Sequence, residues 1–233
     1  MSNIFQHGLP HDATFDQRAE WFNVRRHRPA YFCGLDLGQS SDYSALAIVE
    51  RRGDSKSNYQ FVCSHLQRWQ LRTSYPDVVE SVVEIMQAPK LHSGPQKPML
   101  LVDRTGVGAP VFDLFKRNNH QSYLEGILIT GGSEVSKSNG TWRVPKRNLI
   151  SSLQVMLQSQ RIKIAGKLPD AATLIGELQN FRARISDAGH DSYGAGSDWK
   201  VGNNDDLLLA LSMALWGATE VQVSTYGHAF RLV

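Results

Sequence analysis

The order in which short apolar segments recur along the chain most strongly limits how it can fold. Three strand-like segments come first, separated only by short turns: Tyr31–Leu37, Tyr43–Glu50 and Tyr59–Gln67. Such closely spaced segments are typical of an antiparallel meander. Beyond them, helical and strand-like periods alternate until a long apolar helix. This order predicts an α/β protein whose mixed central sheet has three antiparallel strands followed by parallel strands, with flanking helices.

The second half of this pattern contains two strongly apolar runs and several helical segments. The continuous runs Met99–Asp103 and Gly126–Thr130 predict strands that are buried on both faces. Helical spacing predicts helices that begin near Ser74, Pro110, Pro145 and Ala171, and a last helix over Asp205–Ala218 that is capped by Asn203 or Asn204. Ser133–Gly140 is expected to be a polar loop, and the segment from Arg182 to Val201 a β-hairpin or a mobile loop.

Length and composition fit one domain with short extensions. Residues 1–28 show little periodicity and are interpreted as an N-terminal extension or linker, 29–220 as the domain, and 221–233 as a C-terminal tail. At 41% hydrophobic residues the chain can bury a core, yet it has no apolar run long enough to span a membrane. Cys33 and Cys63 lie in strand-like runs and are expected to be buried and reduced. A net charge of +3 permits a nucleic-acid partner without requiring one.

Two acidic residues stand where predicted buried strands end. Asp36 interrupts an apolar strand, and Asp103 ends the next strongly buried one. A buried carboxylate needs a cation, hydrogen bonds or a raised pKa, because leaving it unpaired is costly. If the two strands lie parallel and adjacent, both carboxylates emerge at neighbouring carboxyl ends, where α/β sheets bind ligands. Taken singly, each aspartate is explained equally well as a residue that closes a turn.

A third acidic position lies at the start of the last helix. Asp205 and Asp206 precede it, and acidic residues in a first turn ordinarily interact with the helix dipole. The helix is apolar nearly all round, which predicts that it is buried and that its N-terminus is covered as well. Ala210, Ala214 and Gly217 form a small-residue face that can approach the sheet closely, and Asp206 lies on that face.

Carboxylates gathered on one spot repel each other, and divalent cations relieve that repulsion. All-oxygen ligands favour Mg²⁺ or Mn²⁺ over zinc. A pair of such ions, about 3.5–4 Å apart, can stabilise the attacking and the leaving oxygen in phosphodiester cleavage. No convincing Ser-His-Asp or Cys-His set is found in the sequence. The pattern therefore favours metal-assisted hydrolysis without a nucleophilic side chain.

Four segments in this order resemble the C-terminal nuclease domain of the large terminase subunit of tailed bacteriophages and prophages. They are Gly34–Gly38, Leu101–Gly108, Val144–Leu149 and Asn204–Leu211, within a likeness that runs from Tyr31 to Thr219. The resemblance implies an RNase H-like fold and two-metal endonucleolytic cleavage of concatemeric double-stranded DNA during genome packaging. Motif by motif, it implies catalytic and metal-ligand roles for Asp36, Asp103, and Asp205 or Asp206 or both.

The resemblance also implies partners and a location. These are double-stranded DNA, a terminase ATPase domain, the small terminase subunit and a portal, in the cytoplasm of a bacterial host. No Gly-x-x-x-x-Gly-Lys-Ser/Thr segment occurs, so we expect that this chain cannot drive DNA translocation by itself. The position before the Asp pair is often His in such proteins, whereas Asn203 and Asn204 stand here. Asn cannot act as a general base, which argues against a histidine-assisted step.

Basic residues from several segments are candidates for DNA contact. They are Lys146, Arg147, Arg182, Arg184 and Lys200. Phosphate contacts require such cations, and the predicted fold allows these segments to surround the acidic site. For any one of these clusters a solvated surface is the better explanation, and they become informative only if they surround an active site.

Three other functions remain compatible with the pattern. A Holliday-junction resolvase shares the expected fold and metal chemistry. An actin-like or sugar-kinase-like ATPase also has an Asp-x-Gly turn after its first strand, which Asp36-Leu37-Gly38 can imitate. That class needs two similar domains, for which 233 residues are too few, and it leaves Asp205-Asp206 unexplained. An inactive DNA-binding module is the third alternative, and the acidic set argues against it.

Overall fold

The computed structural model describes residues 14, 29–38, 42–94, 96–106, 108–185, 191–195, 205–223 and 230–232. Its strands are β1 Ala30–Asp36, β2 Ala45–Arg52, β3 Gln60–Arg68, β4 Met99–Asp103, β5 Tyr123–Thr130, β6 Ser136–Ser138, β7 Thr141–Pro145, β8 Ile162–Ile164, β9 Phe181–Ile185, β10 Asp191–Ala195, β11 Val221–Val223 and β12 Phe230–Leu232. Its α-helices are α1 Tyr75–Met86, α2 Gly108–Arg117, α3 Lys146–Gln158, α4 Ala171–Asn180 and α5 Asp206–Glu220, and a 3-10 helix spans Pro89–His92.

A mixed eight-stranded sheet forms the centre of the molecule. Its strand order is β6-β7-β5-β4-β1-β2-β3-β8. Strands β1, β2 and β3 pair antiparallel, whereas β4 lies parallel to β1, and β5 and β7 continue the parallel half. Strand β1 is therefore central and is buried along its whole length, as its apolar sequence requires. The predicted order of three antiparallel strands followed by parallel strands is confirmed.

Helices cover both faces of the sheet. Each central strand contributes to the cores on both faces, because its side chains alternate between them. Ala30 and Phe32 belong to the core that contains α5, whereas Tyr31, Cys33 and Leu35 belong to the core on the side of α1 and α2. Both cysteines are buried and free, as predicted. None of the helices in the described residues is long and apolar enough to cross a membrane.

Helix α5 contacts the sheet at unusually short range. A β-carbon added at Gly34 would lie 2.1 Å from the carbonyl oxygen of Ala210 and 2.7 Å from the backbone nitrogen of Ala214. Such approach is possible only because Gly34 has no side chain and both helix residues are small. The predicted small-residue face of the last helix is thus the face that meets β1. Asp206 lies one turn before Ala210 on this helix.

Two local predictions are wrong. Part of the expected loop Ser133–Gly140 is strand β6, which pairs with β7 at the edge of the sheet. Its side chains are polar because this edge faces solvent, where strand pairing needs no apolar alternation. The cap of the last helix is Asp205 and not Asn203 or Asn204, both of which lie outside the described residues.

The remaining segments are smaller sheets. Strands β9 and β10 pair antiparallel, which confirms a β-hairpin in the segment after Arg182, although residues 186–190 and 196–204 lie outside the described residues. Beyond α5, β11 pairs antiparallel with β12 within the expected C-terminal tail. Of the expected extension at residues 1–28, only residue 14 is described.

Candidate functional site

Three buried aspartates lie close together at the carboxyl ends of two adjacent central strands. Asp36 and Asp103 are the last residues of the adjacent parallel strands β1 and β4, in which Leu35 lies opposite Val102. Asp206 is the first residue of α5, which crosses the same end of β1. The three residues are 8%, 7% and 6% exposed, respectively. The carboxyl groups predicted to meet at the carboxyl ends of the strands are therefore close to one another and shielded from water.

The Asp36 and Asp103 carboxyl groups hydrogen-bond to each other. Burial raises the pKa of Asp36 well above its usual range, and the negative charges of Asp103, Asp206 and Asp205 raise it further. Burial also raises the pKa of Asp103, although hydrogen bonds from Thr105 oppose this shift. Burial therefore disfavours ionisation of both carboxyl groups, and the neighbouring negative charges add to this effect at Asp36.

Thr105 orients the Asp103 carboxylate. Its backbone N–H donates to Asp103 Oδ1 at 2.7 Å, and its side chain also hydrogen-bonds to Asp103. The Thr105 hydroxyl oxygen accepts the backbone N–H of Ile129 at 2.8 Å, which ties it to β5. The carboxylate is thus fixed by two strands rather than by its own backbone alone.

Asp206 carries one satisfied and one unsatisfied oxygen. The backbone N–H of Tyr43, just before β2, hydrogen-bonds to the carboxylate. Asp206 Oδ2 is buried and has no hydrogen-bond partner among the residues that the structure describes. Burial, followed by the charge of Asp205, raises the pKa of Asp206 to about 7. A buried acceptor of this kind is costly unless a ligand binds it.

Asp205 differs from its neighbour in both exposure and partner. Its Oδ2 accepts a hydrogen bond from Lys146 Nζ at 3.0 Å, and the two side chains are 24% and 26% exposed. The Lys146 ammonium also lowers the pKa of Asp36 and of Asp103. Lys146 therefore lies among the carboxylates as a fixed positive charge, at the start of α3.

The donor set of this site fits a hard divalent cation. All available ligand atoms are carboxylate oxygens, which Mg²⁺ and Mn²⁺ prefer. In the described part of the chain, however, no group of three or more Asp, Glu, His or Cys side chains is already arranged to hold a metal ion. A divalent cation here would be held by Asp36, Asp103 and Asp206, and it would offset the repulsion between their carboxylates.

The structure describes the other residues that are predicted to contact DNA only in part. Arg147 follows Lys146 on α3, and its guanidinium donates to the carbonyl oxygen of Ser133 at 3.3 Å. Arg182 and Arg184 lie on β9, where only the backbone is described. Lys200 lies outside the described residues.

Sequence reasoning missed an acidic residue beside the site. Glu177 of α4 is 8% exposed and lies close to α5, with its carboxylate 3.6 Å from Arg68. Burial, and then the charges of Asp206 and Asp205, raise the pKa of Glu177 to about 7, against hydrogen bonding from Leu208 and the charge of Arg68. One signal was present in the sequence: Glu177 follows Ala171 and Leu174 at spacings of three on the buried stripe of α4. A charged residue on such a stripe has to have a partner.

Comparison with known proteins identifies the architecture. No family model and no curated protein matches the chain. The solved structures that match include the magnesium-bound large terminase nuclease of thermophilic phage G20c, with a TM-score of 0.56 and 20% identity over 80% of each chain. The chain has the fold of the terminase nuclease domains.

Two further structures have the same fold. The large terminase nuclease domain of Thermus phage P74-26 matches with a TM-score of 0.52 and 20% identity over 81% of this chain and 80% of that one. The Mn-soaked, inhibitor-bound terminase nuclease domain of human cytomegalovirus matches with a TM-score of 0.51 and 14% identity over 94% and 99%. The expected RNase H-like architecture is therefore confirmed, and so is the resemblance to terminase nuclease domains at the level of the fold.

Proposed function

We propose that the chain is an endonuclease that uses Mg²⁺ or Mn²⁺ to cleave double-stranded DNA, as in genome packaging by phage terminases. The proposal rests on one observation: three buried carboxylates lie together at the carboxyl ends of β1 and β4, namely those of Asp36, Asp103 and Asp206. Three clustered carboxylates do not stabilise a protein core, because replacing buried charged groups with apolar residues is often neutral or stabilising. A metal site explains why three separate elements bring them together.

Asp36, Asp103 and Asp206 are the proposed metal ligands. Asp206 is preferred over Asp205 because its Oδ2 is buried without a partner, whereas Asp205 is engaged by Lys146. Asp205 then keeps the Lys146 ammonium beside the ligands. This arrangement assigns different roles to the two neighbouring aspartates.

When bound, a pair of Mg²⁺ or Mn²⁺ ions supplies Lewis acidity that stabilises the attacking and leaving oxygens of the phosphodiester. Asp36 and Asp103 would hold the ions in their ionised forms, because carboxylate ligands are deprotonated when they bind metal. Thr105 keeps the Asp103 carboxylate in one orientation. Lys146 offers a positive charge to the phosphate, and water is the proposed nucleophile.

Further partners of the proposed nuclease follow from its expected biological setting. Lys146 and Arg147, together with Arg182, Arg184 and Lys200, are proposed to contact the DNA backbone. A terminase ATPase domain, the small terminase subunit and a portal are the proposed protein partners.

A plasmid-cleavage assay tests the proposed reaction. Wild-type protein should nick and linearise supercoiled DNA with Mg²⁺ or Mn²⁺ and lose this activity with a chelator. Asp36→Asn should reduce the rate by about 100-fold or more, beyond the range seen for groups that merely support metal ligands. Asp113→Asn is the matched control, because Asp113 is an exposed partner of Lys116 on α2, and it should cut like wild type.

Two outcomes would contradict the proposal. Equal cleavage by wild type and Asp36→Asn would mean that the activity does not come from this site. Preferential cleavage of four-way junctions over linear and supercoiled DNA would favour a resolvase instead.

A further inference from the structure

Glu177 supplies a hydrogen bond that the start of α5 cannot make by itself. The first backbone bond of α5 runs from the Leu209 N–H to the Asp205 carbonyl at 2.8 Å, so the Leu208 N–H has no partner within the helix. Asp205 occupies the cap position, but its side chain makes no capping bond. Glu177 Oε2, from α4, accepts the Leu208 N–H at 2.8 Å. A side chain of a different helix thus caps α5.

Strand β3 holds the capping carboxylate in place through Arg68, its last residue. Arg68 Nη1 lies 3.6 Å from Glu177 Oε1, and the guanidinium packs 4.1 Å from the ring centroid of Tyr43. The Arg68 backbone N–H also donates to Asp170 Oδ2 at 3.0 Å, which anchors the beginning of α4 to the same strand end. Glu177 therefore lies between β3, which it meets through Arg68, and α5, which it meets through the Leu208 N–H.

Tyr43 connects Arg68 with Asp206 as well. Tyr43, against which Arg68 packs, provides the backbone N–H that holds the Asp206 carboxylate. Leu208, the residue capped by Glu177, is two positions after Asp206. Both contacts act on the first turn of α5, where a small shift changes the distance between Asp206 and Asp36.

We propose that Glu177 is a positioning residue whose side-chain oxygen accepts the Leu208 N–H, fixes the first turn of α5 and thereby holds Asp206 in place to bind metal beside Asp36. This inference rests on the proposed role of Asp206 as a metal ligand. Glu177 binds the backbone N–H of Leu208, so its proposed effect on Asp206 runs through the backbone of α5. Glu177 lies on the otherwise apolar buried face of α4, where its side chain supplies the hydrogen-bond acceptor that the first turn of α5 lacks.

Two substitutions separate the capping role from a general contribution to the fold. Glu177→Met fills a similar volume with an unbranched apolar chain and removes the acceptor. Glu177→Gln keeps a carbonyl oxygen that can accept the Leu208 N–H and removes only the charge. Glu220→Gln is the control, because Glu220 lies at the far end of α5 in an exposed pair with Lys56.

The measurements are amide hydrogen exchange at Leu208, Mn²⁺ binding by calorimetry without DNA, and plasmid cleavage. In Glu177→Met we expect faster exchange at Leu208 and Mn²⁺ affinity weaker by about tenfold, as for other groups that orient metal ligands. Glu177→Gln should restore both properties to near wild type, and Glu220→Gln should leave both unchanged. A purely structural role would lower the unfolding temperature of Glu177→Met without changing Mn²⁺ affinity in the folded protein.

Unchanged Mn²⁺ affinity in a folded Glu177→Met protein would overturn the proposal, as would an equal loss in Glu177→Gln. If Glu177→Met does not fold, Glu177→Gln decides alone: faster Leu208 exchange with wild-type Mn²⁺ affinity would refute the link. Failure of the proposed function has a different signature, namely wild-type protein that binds Mn²⁺ but does not cleave DNA. In that case the positioning role of Glu177 would stand without the nuclease.

Discussion

Replacing Gly34 with alanine should disturb the fold and the proposed metal site together. The new methyl carbon would lie 2.1 Å from the Ala210 carbonyl oxygen and 2.7 Å from the Ala214 nitrogen. Both atoms belong to the backbone of α5, so no side-chain rotation relieves the overlap. Helix and strand have to separate by about 1 Å to restore an ordinary van der Waals distance.

The expected cost follows from this displacement. Overpacked cores lose about 1–3 kcal/mol, and Gly34→Ala should fall at the upper end because α5 is buried along almost its whole length. The separation also moves the first turn of α5, and with it Asp206, away from Asp36. We therefore expect Mn²⁺ affinity to fall by about tenfold, as when a ligand is displaced by loss of its support.

Guanidinium denaturation followed by tryptophan fluorescence measures the first effect, and calorimetric Mn²⁺ titration measures the second. Gly176→Ala is the control, because a β-carbon there meets no atom within 4 Å and alanine favours a helix interior. If Gly34→Ala is as stable as wild type and binds Mn²⁺ equally well, the close contact between β1 and α5 does not set the site.

Two further predictions concern charge. Unfolded carboxyl groups ionise near pH 4, whereas the pKa of Asp206 and of Glu177 is about 7 in the folded protein, so the folded state binds more protons between these values. The metal-free protein should therefore lose stability as pH rises from about 4 to about 7. Denaturation at pH 7 should show Asp206→Asn to be more stable than wild type by about 2–4 kcal/mol without metal, and equal stability would refute the claim that burial and the charge of Asp205 disfavour ionisation of Asp206. Neutralising Lys146 and Arg147 together should reduce the slope of log affinity for DNA against log salt by about 1–2, and an unchanged slope would exclude them from the interface.

The sequence predicted the features that depend on apolar periodicity. The runs that became β1 and β4 are apolar and buried on both faces, which is the signature of central strands, whereas residues 128–130 of β5 are only half-buried. The small residues Ala210 and Ala214 marked the face of α5 that meets Gly34, because only a close backbone contact favours small side chains at that spacing. Asp36 and Asp103 were likewise identifiable because each carboxyl interrupts or ends such a run.

Other features depend on contacts between distant residues and gave little or no local signal. Strand β6 is polar, and its pairing with β7 is supported by Lys137, which binds Glu125 of β5 at 2.8 Å and packs over Trp142. Glu177 caps a helix that begins about 30 residues later in the chain, with a sequence separation of 31 between Glu177 and Leu208. The division between Asp205 and Asp206 depends on Lys146, which binds Asp205 across a sequence separation of 59.

A structure of the protein soaked with Mn²⁺, with the ion located from its anomalous signal, tests the central claim most directly. We expect manganese within about 2.2 Å of oxygens of Asp36, Asp103 and Asp206, with the Asp36–Asp103 hydrogen bond broken. Asp205 should remain with Lys146. Manganese bound elsewhere, or an unchanged hydrogen bond between Asp36 and Asp103 at saturating Mn²⁺, would contradict the claim that these carboxylates form a metal site.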